Sequence, residues 1–471
     1  MKAEERRRSR PFNPEILWIF AAVIIGIILT LYVFYPGYMS YDSANQLAQG
    51  RQGQFNDWNP PVMSWLWGQF DRVVHGPAGM LALFNLLFWS GLGLWISLVT
   101  PGWSMPVKAL AVLVIGLLPP IFMLLSTVWK DVGMAAALLF ASSWLALAER
   151  KGSLRAMLVG LLGIWFSLAL RHNAVFAAFP LMIYAGLILS SQIDLSVSWF
   201  KRYPIVMSGL LGLGLLGLLL WTTALAGRFL TRHSTTYALQ QILVHDLVGI
   251  SIRANEVLLP DYLTSPQPVT ITELKKIYDT QFPVVCLYSG CGVSELRIKA
   301  YDTSDLNDQT IHVWIKAVLT HPKAYLFHRL RQWMSQLGIA VKEVCYPYIT
   351  EDDQNALTLF GIDQSSLGIL RAESSLTRAI IDTVDKIKNS LIFRGWVYMA
   401  FLTLLLVYIL LTRGRNLALP KAVIAVACSG WLYGLSYLPL STTCDFRMHY
   451  WTVVAAMVCG AAWLGGVGWR E

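Results

Sequence analysis

Apolar residues along this chain come in long blocks rather than in strict alternation. Ten stretches, 15–36, 79–99, 105–127, 131–148, 154–170, 173–190, 204–226, 393–412, 419–440 and 450–468, approach the length needed to cross a bilayer, since a helix rising about 1.5 Å per residue needs about 20 apolar residues for a core of about 30 Å. Each is predicted to be a transmembrane helix, because in lipid the backbone must satisfy its own hydrogen bonds. Pro119 and Pro120 interrupt the third stretch and predict a kink there. The first stretch follows MKAEERRRSR and runs to Pro36 without a small-residue cleavage site, so it reads as a retained helix rather than a signal peptide.

Two segments break this pattern. Residues 37–78 form a first loop, in which Trp65, Trp67 and Phe70 lie near helical spacing and predict a helix resting in the membrane interface. Residues 227–392 are polar, with 17 Lys and Arg (counting Arg394 at the edge) against 17 Asp and Glu. Stretches such as HVWIKAVLTHPKAYLFHRLRQWMSQLG predict a domain of mixed character packed on the membrane helices. The chain thus divides into a seven-span module (1–226), an inserted domain (227–392) and a three-span module (393–471).

Composition removes several function classes. Of the 471 residues, 55% are hydrophobic and 14% charged, against about 25% charged in an average globular protein. A soluble multidomain protein, a disordered chain, a collagen-like chain and a nucleic-acid-binding protein all fail this test. The net charge of +9 says little about an acidic partner, because it is concentrated in short loops on one side. With the N-terminus inside, fifteen Lys and Arg fall in inside segments and five (Arg51, Arg72, Lys130, Arg171 and Arg447) in short outside ones. The excess of cytoplasmic cations places both termini in the cytoplasm.

Cys286, Cys291, Cys345 and Cys444 then fall outside, while Cys428 and Cys459 lie in spans. An oxidising compartment would permit a Cys286–Cys291 disulfide, or one joining either of these to Cys345; free thiols are the alternative. No CxxC or HxxxH spacing accompanies them, which disfavours a metal role.

Ionisable residues at membrane depth are costly and usually mark a pathway or site. Asp42, Lys130 with Asp131, Arg171 with His172 and Asn173, and Asp445 with Arg447 and His449 all sit at predicted outside ends of spans. This predicts an outward-facing polar site roofed by the two large outside segments. Fixed cations there could hold a lipid-linked phosphate, and a carboxylate could take a proton from an acceptor hydroxyl or amine attacking the sugar carbon. Blander readings exist for each group. Asp42 could cap the following helix, Lys130 and Asp131 could be a mutually neutralising interfacial pair, and Asp445 and Arg447 could form a structural ion pair. Asp57 is a secondary carboxylate, and His245, Asp246 and His321 read as structural. Asp42 and Asp57 are compatible with a divalent cation such as Mg or Mn and equally with acting without one. No Walker A, GxGxxG, HExxH or GxSxG element stands in a suitable context.

At these residues the sequence resembles a known family. An Asp in SYDSANQ, the proline-rich DWNPP, the Lys-Asp pair of TVWKDVG, the Arg-His-Asn turn of LALRHNAVF, a large late insertion and a terminal DFRMHYW are similar to the GT-C superfamily of membrane glycosyltransferases. The resemblance implies an all-α polytopic fold of about ten transmembrane helices. It also implies a bacterial inner-membrane location, a polyprenyl-phosphate-linked sugar donor and an envelope lipid, polysaccharide or protein acceptor. Asp42 would match the catalytic carboxylate, and Arg447 the basic position of the closing motif. Asp57, Asn59, Lys130, Asp131, Arg171, His172 and Asp445 would contact substrate. The chain departs from the pattern at Asn59, where relatives often carry His, and in reading DFRMHY rather than DxRY. Rival readings are a polymerase or ligase of lipid-linked saccharide, a flippase-type transporter, and a non-catalytic scaffold.

Overall fold

A computed structural model describes residues 16–192, 203–232, 234–264, 269–278, 284–289, 298–339, 341–345, 347–349, 374–412 and 420–466. Several basic residues used to set the orientation (Lys2, Arg6, Arg7, Arg8, Arg10, Lys201, Arg202, Arg413, Arg415 and Arg470) lie outside these segments, as does Cys291.

The described chain is helical, and an isolated parallel bridge joins Tyr38 to Thr127. The first module contains α1 (Ile16–Phe34), α2 (Tyr41–Gln52), α3 (Pro61–Asp71), α4 (Ala78–Val99), α5 (Met105–Gly116), α6 (Pro119–Leu125), α7 (Lys130–Lys151), α8 (Leu154–Leu170), α9 (Ala174–Gln192) and α10 (Pro204–Thr231). The insertion adds α11 (Gln240–Ala254), α12 (Asp261–Thr264), α13 (Ile271–Ile277), α14 (Val285–Ser289), α15 (Ser304–Thr320), α16 (Pro322–Gln336) and α17 (Ser375–Asp385). The closing module is α18 (Gly395–Leu411), α19 (Lys421–Leu440) and α20 (Tyr450–Gly465).

Each apolar stretch of the sequence coincides with one of these helices or with the α5–α6 pair. Among the described residues, seven helices are long and apolar enough to cross a membrane: α1, α4, α7, α9, α10, α19 and the segment Phe446–Gly465 that includes α20. The α5–α6 pair, bent by 69° at its break, makes an eighth if it counts as one span. The bend falls where expected, because Pro119 opens α6 and supplies no N–H to continue α5. The remaining two, α8 and α18, are apolar but have only 17 residues each.

Burial grades across the bundle. Helix α7 is enclosed along most of its length, while α1 and α10 turn most of theirs outward. Buried polar ties stitch the centre: Trp95 donates to the Val458 carbonyl at 3.2 Å, Trp451 to Ser429 at 2.9 Å, and Ser429 to the Ala177 carbonyl at 2.6 Å. In an apolar surround such bonds and close packing, rather than a hydrophobic force between helices, hold spans together. Of the glycines in GLLGLGLLGLLL, Gly212 lies against the Met182 backbone of α9, while Gly209, Gly214 and Gly217 have open space around them.

The described parts of the insertion correct the expectation of mixed structure, since they contain helices and no strand. The insertion has its own apolar centre, built around Val244, Leu247, Leu274, Ile298 and Ala317. Other parts of it, including Tyr348, Ile349, Ile381 and Val384, join the core of the membrane helices. Trp333 of α16 donates to the Gly434 carbonyl of α19 at 3.0 Å. A Cys345–Cys444 disulfide also links the insertion to the connection between α19 and α20. This overturns both proposed pairings of Cys345 with Cys286 or Cys291: the two partners lie 99 residues apart in sequence, and only the tertiary fold brings them together. Cys286 is itself disulfide-bonded, and Cys428 and Cys459 are free.

Candidate functional site

The site begins where two connections lie side by side. Tyr38, between α1 and α2, donates its backbone N–H to the Ser126 carbonyl at 2.9 Å, and Val128 donates to the Tyr38 carbonyl at 3.0 Å. Ser43 closes the pairing by donating to the Val128 carbonyl at 2.8 Å. This brings the first turn of α2, with Asp42, beside the first turn of α7, with Lys130 and Asp131.

Helix α2 is capped by Ser40, whose hydroxyl accepts from the Ser43 N–H and also from the Trp129 indole at 2.8 Å. The capping role considered for Asp42 is therefore filled by Ser40. The Asp42 side chain, 35% exposed, instead stands between two cations, with Lys130 Nζ at 3.9 Å and Arg447 Nη2 at 3.6 Å from Oδ2. Burial pushes this carboxyl up, but Lys130, Arg447 and Arg171 more than offset it and hold the carboxyl below its ordinary value.

Each cation has a second tether. Lys130 donates to Asn59 Oδ1 in a short hydrogen bond, which joins DWNPP to TVWKD. Arg447 pairs through Nε with Asp445 Oδ2 at 2.7 Å, and its guanidinium lies 4.3 Å from the centre of the Trp129 ring. A cation over an indole face, partly shielded from water, gains about 1–2 kcal/mol and fixes the guanidinium plane. Asp445 caps the 3-10 turn Phe446–His449 by accepting from the Arg447 N–H at 3.2 Å. Burial is the main cause that lifts the Asp445 carboxyl to about 6, against the opposing pull of Arg447.

A deeper pair lies beneath. Asp131 is fully buried and meets Arg171 Nη1 at 2.5 Å; Arg171, the C-cap of α8, also donates to Asn173 Oδ1 at 2.7 Å. Its guanidinium lies 5.9 Å from the Tyr437 ring of α19. Removing one member of such a buried pair typically costs about 3–5 kcal/mol, because the other charge is left unpaired. Arg171 is therefore committed to a fully buried carboxylate, whereas Lys130 and Arg447, the latter also paired with Asp445, both face the partly exposed Asp42. Burial, and then Lys130, hold the His172 imidazole below its ordinary value against the opposing pull of the nearby Asp57 backbone. The Asp57 carboxylate is turned to α10–α11 connection residue Thr236, accepting from both its N–H and its hydroxyl at 2.6 Å.

The nine residues to which the resemblance gives a site role thus lie on five connections: Asp42, Asn59, Lys130, Asp445 and Arg447 are joined directly, while Asp131 pairs with Arg171 and the Asp57 carboxylate faces Thr236. Sequence reasoning missed Ser40, Trp129 and Tyr437. The Trp in TVWKD was visible, but nothing in the sequence said that its ring would meet Arg447. A second buried polar group, Asp246 with His328 and Arg329, lies in the insertion. Among the described residues no group of three or more His, Cys, Asp or Glu is placed to hold a metal ion.

No family model, curated protein or solved structure matches the chain.

Proposed function

We propose that the protein is a membrane glycosyltransferase that moves a sugar from a polyprenyl-phosphate donor to an envelope lipid, polysaccharide or protein acceptor. The observation that carries this reading is the partly exposed Asp42 carboxylate held between Lys130 and Arg447. In the proposed reaction, the acceptor oxygen or nitrogen forms a bond to the sugar carbon. The bond from that carbon to the phosphate oxygen breaks, and the acceptor proton passes to Asp42. Lys130 and Arg447 stabilise the charge that builds on the leaving polyprenyl phosphate. Before the donor binds, the same cations depress the basicity of Asp42. A phosphate between them takes up part of their field, so the carboxylate becomes a better base once the site is filled. Arg171 supports the start of α7 through Asp131 rather than touching phosphate.

The reading places the site on the extracytoplasmic face of a bacterial inner membrane, with about ten spans and both termini cytoplasmic. The Cys345–Cys444 disulfide next to Asp445 supports that side, since disulfides persist in oxidising compartments.

The test is mass spectrometry of envelope glycolipids and polysaccharides from cells lacking the gene, complemented with the parent or Asp42→Asn at matched membrane levels. The parent should restore a sugar-sized mass increment, and the variant should lower its yield by on the order of 10²–10⁴, the usual contribution of a general base. Equal yield from both would remove Asp42 as the base. It would favour a saccharide transporter or a scaffold instead.

A further inference from the structure

We infer that Arg329, held by Asp246, is a positioning residue for Arg447. The inference rests on the role given to Arg447 above. Arg329 lies on α16, and its side chain is only 3% exposed. One guanidinium nitrogen, Nη2, meets Asp246 Oδ2 at 2.6 Å. The other, Nη1, donates to the Ser441 carbonyl at 2.9 Å. Ser441 is the C-cap of α19 and opens the connection that carries Asp445 and Arg447.

Asp246, on α11, is also held by α15 and by a second residue of α16. Its Oδ2 accepts from the Trp314 indole of α15 at 2.8 Å, and its Oδ1 lies 3.0 Å from His328 Nε2 on α16. His328 Nδ1 is 2.7 Å from the Tyr278 hydroxyl, and Gly249 of α11 leaves room for that ring, which any Cβ there would strike. A buried ion pair is weak evidence for stability, because desolvation consumes much of its attraction. What this group adds is direction. A guanidinium pinned by a carboxylate offers its remaining donors along fixed lines, and one of those lines ends on the connection between α19 and α20.

Other bonds tie the same connection to the insertion. Val284 donates to the Thr442 carbonyl at 3.1 Å, Cys444 is bonded to Cys345, and Phe446 donates to the Cys345 carbonyl at 3.1 Å. The insertion therefore holds the connection at both ends, with Arg329 at Ser441 and Cys345 at residues 444 and 446. Arg447 follows directly. Its reach to Asp42 depends on where this connection sits.

The test uses full-length protein in lipid nanodiscs, comparing parent, Arg329→Gln and Arg329→Lys by hydrogen exchange of peptides covering 441–448. Each is also carried through the complementation assay. Arg329→Gln should speed exchange of the Phe446 and Arg447 amides at least tenfold while α7 stays protected, and should lower product yield at least tenfold. Arg329→Lys, a point donor that cannot serve both partners, should fall between. Combining Arg329→Gln with Arg447→Gln should lower yield no further than Arg447→Gln alone, since residues acting as one unit are not additive. If Arg329→Gln does not accumulate, Asp246→Asn, which keeps the shape and frees the guanidinium, should show the same faster exchange.

Parent-like exchange at 441–448 would overturn the positioning role, as would loosening spread evenly over α11, α15 and α16. The exchange readout needs no substrate. A parent that yields no product overturns the glycosyl-transfer reading alone, and the exchange result still decides the role of Arg329.

Discussion

At the scale of residues, the site is a balance of three carboxylates and three cations in different surroundings. Asp42, beside two cations and partly open, is held below its ordinary value. The stabilisation it draws from those cations is present above 3.8 and lost as pH falls below that value. Asp445 is the opposite case: burial raises it to about 6, so between 3.8 and about 6 the folded chain binds a proton that the unfolded chain has released. Its contribution to stability therefore falls as pH rises through that window, while the Arg447 pair gains its full counter-charge only above it. Product yield from the parent should show an inflection near pH 6, and Asp445→Asn should abolish it. A parent profile flat from pH 5 to 7 would refute this assignment. The candidate residues were legible in the sequence because ionisable groups at membrane depth are costly, and here acids and bases share the outside ends of the spans. Their pairing was not, because Asp42 and Arg447 lie at opposite ends of the chain and only packing makes them neighbours.

Elements decide how precisely those residues meet. Helix α2 presents Asp42, and it is seated on α3 through glycines: a Cβ on Gly50 would strike the Ser64 carbonyl, and one on Gly68 would strike Gly50. Arg51 locks the same pair of helices by a two-pronged contact with Asp71, at 2.8 and 2.9 Å. Gly50→Ala should thus push α2 off its seat at a cost of about 1–3 kcal/mol, the usual penalty for overpacking. It should lower both thermal stability and product yield. Gly209→Ala is the control. Nothing lies within 4 Å of that position on α10, so relief of the glycine penalty should leave stability unchanged or raise it by up to about 1 kcal/mol. A Gly50→Ala protein as stable and active as the parent would show that α2 has room to move. The helix predicted around Trp65, Trp67 and Phe70 is present as α3, but Trp67 is buried and donates to the Gly76 carbonyl at 3.0 Å while Trp65 faces outward. Spacing could announce a helix there without saying which tryptophan would serve as its anchor.

For the whole molecule, the decisive relation is between the insertion and the closing module. The Cys345–Cys444 bond closes a separation of 99 residues, for which chain entropy alone predicts about 4–5 kcal/mol of stabilisation. Replacing both cysteines with serine should lower the melting temperature of the purified protein and reduce yield, because the connection bearing Asp445 and Arg447 loses an anchor. Unchanged melting would mean that the remaining contacts suffice. By itself the sequence determined the helical class, the positions of the apolar stretches, the kink at Pro119 and the residues worth watching, since each follows from local hydrophobicity, proline chemistry or the cost of charge near lipid. Tertiary structure decided which cysteine pairs with Cys345, that Ser40 rather than Asp42 caps α2, that Arg171 is committed to Asp131, and that Arg329 reaches the connection to Arg447. These depend on contacts between segments tens to hundreds of residues apart, and no local pattern of hydrophobic and polar positions carries that information.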